Sequence, residues 1–176
     1  MPNCIVSPAR LRMTHYIISI YSPISFIHEK EKAFNEMFRV LKRGGKIMIM
    51  GHGFYNAIFS KINNYFAQAE ELGALDSEHT IKWGKHVPKL NVFSRETIEN
   101  DLKQAGFVVD KTYGVPVFVQ PGQEDFDPEN IKKSKISRAL EKEDFFKKVF
   151  EIEMKYNNHA SIANRGMNIF SVAFKN

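Results

Sequence analysis

The strongest constraint on the fold is the alternation of apolar strands with amphipathic helices along the chain. Residues 15–21 are β-branched and aromatic, with apolar side chains on both faces, which is typical of a strand inside a parallel sheet. Residues 29–42 follow with apolar positions at helical spacing, and residues 46–50 form a second apolar strand. A helix supplies the crossover that parallel strands need. The sequence therefore predicts a doubly wound α/β sheet.

The rest of the chain continues this alternation. The predicted elements are a helix over 54–72 with Ile58, Ile62, Phe66 and Ala69 inward, an irregular segment over 74–93, a helix beginning at Ser94, a strand over 107–113, a loop over 121–129, a helix over 130–156 broken near Glu141, and a strand over 167–175. Glycines are expected to end three helices, at Gly44, Gly73 and Gly106. No repeat or boundary divides residues 1–176, so one domain is expected.

Composition excludes several classes of protein. Of 176 residues, 43% are hydrophobic, which is enough for a packed core. No apolar run reaches the roughly 18 residues of a membrane span, and the N-terminal residues do not resemble a signal peptide. The single cysteine, Cys4, excludes an internal disulfide and indicates a reducing compartment, so we expect a cytoplasmic protein. The histidines lack the i, i+4 spacing of a helical zinc motif, so no metal site is predicted.

A basic cluster lies between Lys132 and Lys148, where phenylalanines interleave with lysines at helical spacing. This pattern predicts an amphipathic helix that packs on the core and leaves its charges in water. Nucleic-acid binding is the alternative reading of the cluster. The net charge of +5 is a modest excess for such a function, so we do not expect a nucleic-acid partner.

The sequence Gly51-His52-Gly53 follows the second strand, where a dinucleotide fingerprint would place its glycines. Asn56 stands where the third glycine belongs, so a tight turn is favoured over a cofactor loop. His52 lies past the carboxyl end of a buried strand, which is the edge where open α/β sheets bind ligands. It is a candidate base or hydrogen-bond partner, and a turn histidine without a catalytic role is the alternative.

Trp83 lies in a mixed aromatic and basic stretch within the long segment between the second strand and the Ser94 helix. Such an insertion beside a ligand edge can act as a substrate loop. A tryptophan that packs the insertion onto the domain is the favoured reading. The sequence contains no G-x-S-x-G elbow and no phosphate-binding loop, so it supports neither a hydrolase nor a nucleotide triphosphatase.

Residues 33–52 resemble class I S-adenosylmethionine (SAM)-dependent methyltransferases of the type 11-like group. In that family a helix ending in RVLKPGG leads into an apolar strand, and residues 39–45 read RVLKRGG, with Arg43 in place of the proline. The segment 14–28 is similar to the preceding family strand, 92–107 to the family's "f-s-x-e-e-l" helix, and 168–175 to its last strand. The resemblance covers about residues 15–175 in the correct order.

The resemblance implies a Rossmann-like sheet that contains strands four to seven of seven, with the last strand antiparallel between the fifth and the sixth. It also implies SAM as the cofactor. The family's glycine-rich loop and its ribose-binding acid precede the fourth strand and have no counterpart here, so no cofactor-binding residue is identifiable. His15 stands where the family often has aspartate. We therefore expect a truncated methyltransferase domain in which 54–93 is the insertion or substrate loop.

What the resemblance retains is the half that shapes the acceptor pocket, and the catalytic residues stay unassigned. The acceptor-pocket candidates are Ser19, Tyr21, Ser22, His52, Gly53 and Trp83.

The truncation predicts a partner. Strand 15–21 would become a free edge without acid, lysine or proline, and such an edge recruits another strand. The expected occupant is residues 3–13, a second copy in a homodimer, or a chain that supplies the missing half. Two functions follow: a methyltransferase that needs a cofactor-binding half from elsewhere, or a non-catalytic module acting through a homodimer or a partner.

Overall fold

A computed structural model of the chain describes residues 13–84, 86–120 and 134–176. The strands are β1 (Thr14–Ser19), β2 (Leu41–Gly53), β3 (Thr80–Ile81), β4 (Leu90–Phe93), β5 (Val108–Val115) and β6 (Asn168–Phe174). The helices are α1 (Lys30–Val40), α2 (Phe54–Asn63), α3 (Ala69–Glu78), α4 (Arg95–Gln104), α5 (Lys135–Leu140), α6 (Glu143–Tyr156) and α7 (Ala160–Ala163), and a short 3₁₀ helix spans Pro23–Phe26.

The long strand β2 organises the sheet, whose order is β3-β4-β2-β6-β5. β1 and β4 pair in parallel with the same side of β2, one after the other along its length. β6 pairs antiparallel with β2 on the other side and antiparallel with β5. The predicted α/β class and the predicted antiparallel last strand between two parallel neighbours are therefore confirmed. Which strands of a larger fold these are remains a prediction from the resemblance.

The main core lies between one face of the sheet and the helices α1 and α4. From the sheet, Ile47, Ile49 and Ile169 are fully buried, and they pack in the same cluster as Phe34 of α1 and Leu102 of α4. Burial of these side chains is the main source of stability for such a layer. The core therefore joins the first and last thirds of the chain.

The end of α1 differs from the prediction. The helix ends at Val40, and Leu41 already pairs with Thr14 of β1 as the first residue of β2. Leu41 is fully buried, so the end of the helix at Val40 places the Leu41 side chain in the core. Gly44 does have a positive φ of 72°, but it lies within β2, so its predicted role as the residue that ends the helix was wrong.

The single helix predicted over 54–72 was also wrong. Two helices, α2 and α3, take its place, and Gly73 lies inside α3. The chain turns between them at Phe66, which adopts a left-handed φ of 48°. The predicted inward face was mostly wrong as well, because Ile62, Phe66 and Ala69 are exposed and only Ile58 packs inward. The segment predicted as irregular contains the end of α3 and both β3 and β4.

The predicted helix after Ser94 is confirmed in detail. The Ser94 hydroxyl accepts a hydrogen bond from the Thr97 backbone amide, and the Thr97 hydroxyl accepts one from the Ser94 amide. This capping box satisfies two of the amides that a helix start leaves without partners. Gly106 follows α4 with a φ of 97°, as expected for a helix stop. The strands predicted over 107–113 and 167–175 match β5 and β6 within two residues at either end.

The predicted break near Glu141 is confirmed, because α5 ends at Leu140 and α6 begins at Glu143. The predicted packing of α6 on the core was wrong. No residue of α6 is buried, and Phe146 and Phe150 are half exposed. The loop predicted over 121–129 and the lysines 132 and 133 lie outside the described residues. Lys147 and Lys148 form ion pairs with Glu143 and Glu151.

Of the helices within residues 13–84, 86–120 and 134–176, none is both long and apolar enough to cross a membrane.

Candidate functional site

The carboxyl ends of β2 and β5 meet the start of β6 at one edge of the sheet. In the strand register His52 lies opposite Asn168, and Asn168 lies opposite Val115. β1 runs parallel to β2. Its last residue, Ser19, lies opposite Ile49, three residues before His52. The topology thus places four of the sequence-predicted residues, Ser19, Ser22, His52 and Gly53, at or near the same edge.

The turn after β1 has an unusual backbone. Tyr21 and Ser22 both adopt left-handed conformations, with φ values of 63° and 59°. Residues other than glycine rarely adopt such φ angles, and two of them in succession cost conformational energy. The turn directs the two side chains oppositely, because Ser22 is buried while Tyr21 is 88% exposed. The result is one polar group held inside the edge and one aromatic ring presented to solvent.

Ser22 belongs to a hydrogen-bonded group that we call the edge cluster, formed by Ser22, Ser25, His52 and Asn168. The Ser22 hydroxyl donates to Asn168 Oδ1 at 3.0 Å, and the Asn168 amide nitrogen donates to the Val115 carbonyl at 3.4 Å. The His52 backbone amide donates to Ser25 Oγ at 2.9 Å. These bonds tie the turn after β1 to the ends of β2, β5 and β6.

The imidazole of His52 is largely removed from water. Burial lowers the pKa of His52 below its ordinary value, and a hydrogen bond with Asn168 partly opposes that shift. At neutral pH the side chain is therefore neutral, with one nitrogen able to donate a hydrogen bond and one able to accept. Chemically, the group can orient a polar ligand or take up a proton.

The glycines on both sides of His52 are explained by packing. A side chain at Gly51 would meet the Phe93 ring, and one at Gly53 would meet the backbone carbonyl of Gly166. Gly53 also donates its amide to the Met167 carbonyl at 2.9 Å. The space beside both glycines is thus filled by the protein's own atoms.

Trp83 lies in a second apolar cluster, away from the hydrogen bonds of the edge cluster. It packs against a group that includes Phe54, Leu75 and Val92, and its ring lies 5.5 Å from that of Tyr65. These contacts attach the insertion to α2 and β4. They agree with the favoured reading of Trp83 as a packing residue.

Sequence reasoning did not identify Lys61, Ser25 or Asn168. Lys61 is only 4% exposed, and its ammonium group pairs with Glu71, donates to the Lys82 carbonyl at 2.7 Å, and lies over the rings of Tyr65 and Trp83. A lysine one turn after Ala57 on the buried face of α2 was the available signal. Ser25 and Asn168 left no signal beyond being polar residues beside strand ends.

Within the described residues, no group of three or more histidine, cysteine, aspartate or glutamate side chains is placed to hold a metal ion. The edge cluster itself consists of hydroxyl, amide and imidazole groups. Such groups bind and orient a ligand through hydrogen bonds.

Comparisons with known proteins found no matching family model and no matching curated protein. The chain is similar in structure to a putative methyltransferase from Haloferax volcanii, solved in complex with the Trm112 methyltransferase activator. That match has 10% identity and a TM-score of 0.49, and covers 93% of this chain and 54% of that one. A SAM-dependent methyltransferase from Clostridium acetobutylicum matches at 11% identity and a TM-score of 0.44, covering 93% and 59%.

A SAM-dependent methyltransferase from Mesorhizobium loti matches at 12% identity and a TM-score of 0.45, covering 95% of this chain and 67% of that one. The chain thus spans a little over half to two thirds of the length of these structures. In its own sheet, the parallel β1 and β2 and the antiparallel β6 between β2 and β5 form the arrangement that the sequence resemblance implies. The fold is a mixed α/β fold with the strand arrangement that this resemblance implies.

Proposed function

We propose that the chain is the acceptor-side part of a SAM-dependent methyltransferase. The observation that carries the proposal is the edge cluster, which lies at the carboxyl edge of a sheet with the strand order and antiparallel last strand of that family. Methyl transfer mainly requires that the acceptor be aligned and shielded from water. A neutral His52 and the exposed Tyr21 ring can align an acceptor, while the buried Ser22 hydroxyl holds Asn168 at the same edge.

The described residues do not fit SAM as a cofactor held by this chain alone. The two glycines at the end of β2 leave no open cradle, because Phe93 and the backbone at Gly166 occupy the space beside them. The sequence also lacks the family's glycine-rich loop. The cofactor-binding half, carried by another polypeptide or by a stretch upstream of these residues, is therefore proposed to hold most of the cofactor.

The free edge of β1 is the proposed attachment point for that half. Among the described residues β1 pairs only with β2, and Tyr16 and Ile18 are 61% and 63% exposed. An uncharged strand with an open edge offers a row of unpaired backbone groups to an incoming strand. The occupant proposed here carries the cofactor-binding half, and a second copy of the chain is the alternative.

The alternative function is a non-catalytic module that acts through a homodimer or a partner. The lack of identifiable cofactor-binding residues favours it. The two functions differ in one property. A methyltransferase part becomes able to bind SAM when it is completed, and a non-catalytic module does not.

The first experiment is a calorimetric titration of SAM into the purified 176-residue chain, with the oligomeric state measured on the same sample. We expect no binding by the chain alone. Micromolar binding would contradict the proposed division and would place the cofactor site within this chain or its dimer.

The second experiment reads the coding sequence upstream for an in-frame glycine-rich strand and loop, and titrates SAM into the chain joined to that segment. Micromolar binding is expected, and Tyr21→Ala should leave it unchanged because Tyr21 is assigned to the acceptor side. Absence of binding by the joined protein would favour the non-catalytic module, and absence of such a segment would leave a separate polypeptide as the carrier of the cofactor-binding half.

A further inference from the structure

The two faces of the sheet differ sharply in burial. Along β2, Ile47 and Ile49 are fully buried, whereas the intervening Met48 and Met50 stay partly exposed. Successive strand residues point to opposite faces, so this alternation separates a covered face from an uncovered one. We call the uncovered side the open face.

The strand register shows how far the open face extends. It runs across four strands, in the order β1, β2, β6 and β5, and none of its side chains is buried. The apolar residues of the open face are Tyr16, Ile18, Met48, Met50, Val108, Tyr113, Val115, Phe170, Val172 and Phe174.

A surface of this kind is unusual for a sheet that contains parallel strands, which are normally covered on both faces. Ten apolar side chains in one contiguous patch expose on the order of several hundred Å², which is the size that marks an interaction site. The other face shows no such exposed apolar surface at these positions, since Ile169 and Ala173 are fully buried. The open face therefore requires a cover that the described residues do not supply.

The charges around the open face indicate the nature of that cover. Lys46 and Lys111 lie on it at the end where β2 begins, opposite Phe174 and Val172 in the register, and Arg43 is exposed just before Lys46. Neither Lys46 nor Lys111 forms an ion pair with another described residue. Within β1, β2, β5 and β6 the one acid is Asp110, the exposed bulge residue before Lys111. This end of the face is positively charged, and the other end, at His52 and Asn168, carries no charged group.

We propose that the open face binds an amphipathic helix of a partner polypeptide, with acidic residues where the helix crosses Lys46 and Lys111. Four strands are roughly 14 Å across and a seven-residue strand is about 23 Å long, so the face accommodates about one helix of some 15 residues. The inference deepens the proposed function, on which it rests for the identity of the polypeptide that carries the helix.

A second copy of the chain stacked open face to open face fits less well. Apart from the bulge residue Asp110, the face has no carboxylate that a copy could place opposite Lys46 and Lys111. A copy also brings a further net charge of +5. Addition of a copy at the β1 edge would extend the sheet but would leave the face uncovered. An amphipathic helix complements the apolar surface with its apolar side and the lysines with its acidic residues.

The test uses two synthetic 18-residue amphipathic helices as probes. Both have a leucine stripe, and one carries glutamates near one end where its twin carries lysines. Binding is followed by calorimetry and by the methyl resonances of Met48 and Met50 in the full chain. The acidic peptide is expected to bind at least about tenfold more tightly than its twin and to shift both methionine signals.

Charge reversal on the chain provides the matched control. The double variant Lys46→Glu, Lys111→Glu is expected to reverse the preference for the two peptides. The variant Lys147→Glu, Lys148→Glu, which changes exposed lysines of α6, should leave it unaltered. Equal binding of the twins, no binding, or reversal by the α6 variant would overturn the proposal.

Two results with the chain alone would also overturn it. A dimer in sedimentation whose Met48 and Met50 side chains are shielded from solvent would assign the face to a second copy. A monomer with the same protection would show that the chain covers the face itself. No SAM is present in these measurements, so their failure is distinct from failure of the proposed function.

Discussion

At the residue scale, the edge cluster depends on polar groups that are held away from water. Ser22 and Ser25 are buried, and their hydroxyls bond to Asn168 and to the amide of His52. A buried polar group is tolerated only when it is hydrogen-bonded, so these residues constrain one another. Stability at this edge should therefore respond to the protonation of His52.

The charge state of His52 makes stability depend on pH. Burial lowers its pKa in the folded state, so the folded protein binds this proton less readily than the unfolded chain, whose histidines titrate near 6.5. The contribution of neutral His52 is complete above about pH 6.5 and is lost as pH falls through that value toward the lower folded pKa. Urea unfolding across this range should give a shallower decline for His52→Gln than for the parent. Identical profiles would contradict this account.

The buried lysine of α2 is expected to stabilise the insertion. Replacement by Lys61→Met keeps the aliphatic stem but removes the charged bond to the Lys82 carbonyl and the pair with Glu71. A loss of about 2 kcal/mol in the free energy of unfolding is expected, because charged hydrogen bonds to buried groups contribute that much. Chemical denaturation followed by circular dichroism measures it. Lys89→Met, at an exposed pair with Glu78, is the control and should change little.

At the scale of elements, α6 is attached near its C-terminal end, by polar contacts and by one ring contact between Tyr156 and Phe118. The Glu153 carboxylate accepts backbone amides from Val117, Phe118 and Val119 at 2.9, 2.7 and 3.0 Å. Asn157 accepts the amide of Gly114 through its backbone carbonyl at 2.8 Å. The phenylalanine side of the helix consequently remains in solvent.

We expect Glu153→Ala to detach α6 without unfolding the sheet. The three amides lose their acceptor, so amide exchange at 117–119 and along Glu143–Tyr156 should accelerate while β2 and β6 stay protected. Hydrogen exchange read by mass spectrometry measures this. Glu151→Ala removes only an exposed pair with Lys148 and serves as the control. Unchanged exchange in Glu153→Ala would show that other contacts hold α6.

At the scale of the whole molecule, the part of the sheet formed by β1, β2, β6 and β5 is covered by helices on one face only. The helices α1 and α4 bury one face, and the open face and the β1 edge adjoin each other at Tyr16 and Ile18. A partner strand and a partner helix could therefore cover both from one direction. This arrangement explains why the chain has apolar residues on both sides of its strands.

Substitution on opposite faces of the sheet tests this asymmetry. Ile18→Lys changes an exposed side chain and should alter the free energy of unfolding by no more than about 0.5 kcal/mol. Ile47→Lys buries an unpaired charge at a fully buried position and should cost at least about 4 kcal/mol or prevent folding. Thermal unfolding compares the pair. A large loss for Ile18→Lys would mean that the open face is covered within the chain.

Sequence reasoning found the elements with strong periodicity. It identified β2, β6 and α4 because their apolar spacing or capping residues are local signals. It missed the break between α2 and α3, since the turn at Phe66 uses a backbone conformation that no glycine or proline announces. It proposed His52 and Ser22, but Asn168, which links them, comes from the far end of the chain.

The sequence by itself determined the α/β class, most strand positions and the resemblance to methyltransferases, because hydrophobic periodicity and short motifs are properties of neighbouring residues. Only the tertiary structure decided which face of each strand is buried, that the Lys61 side chain is buried, and how α6 is attached. Those outcomes depend on contacts between residues far apart in the chain. An apolar residue such as Met48 therefore reads the same in the sequence whether its face is covered or open.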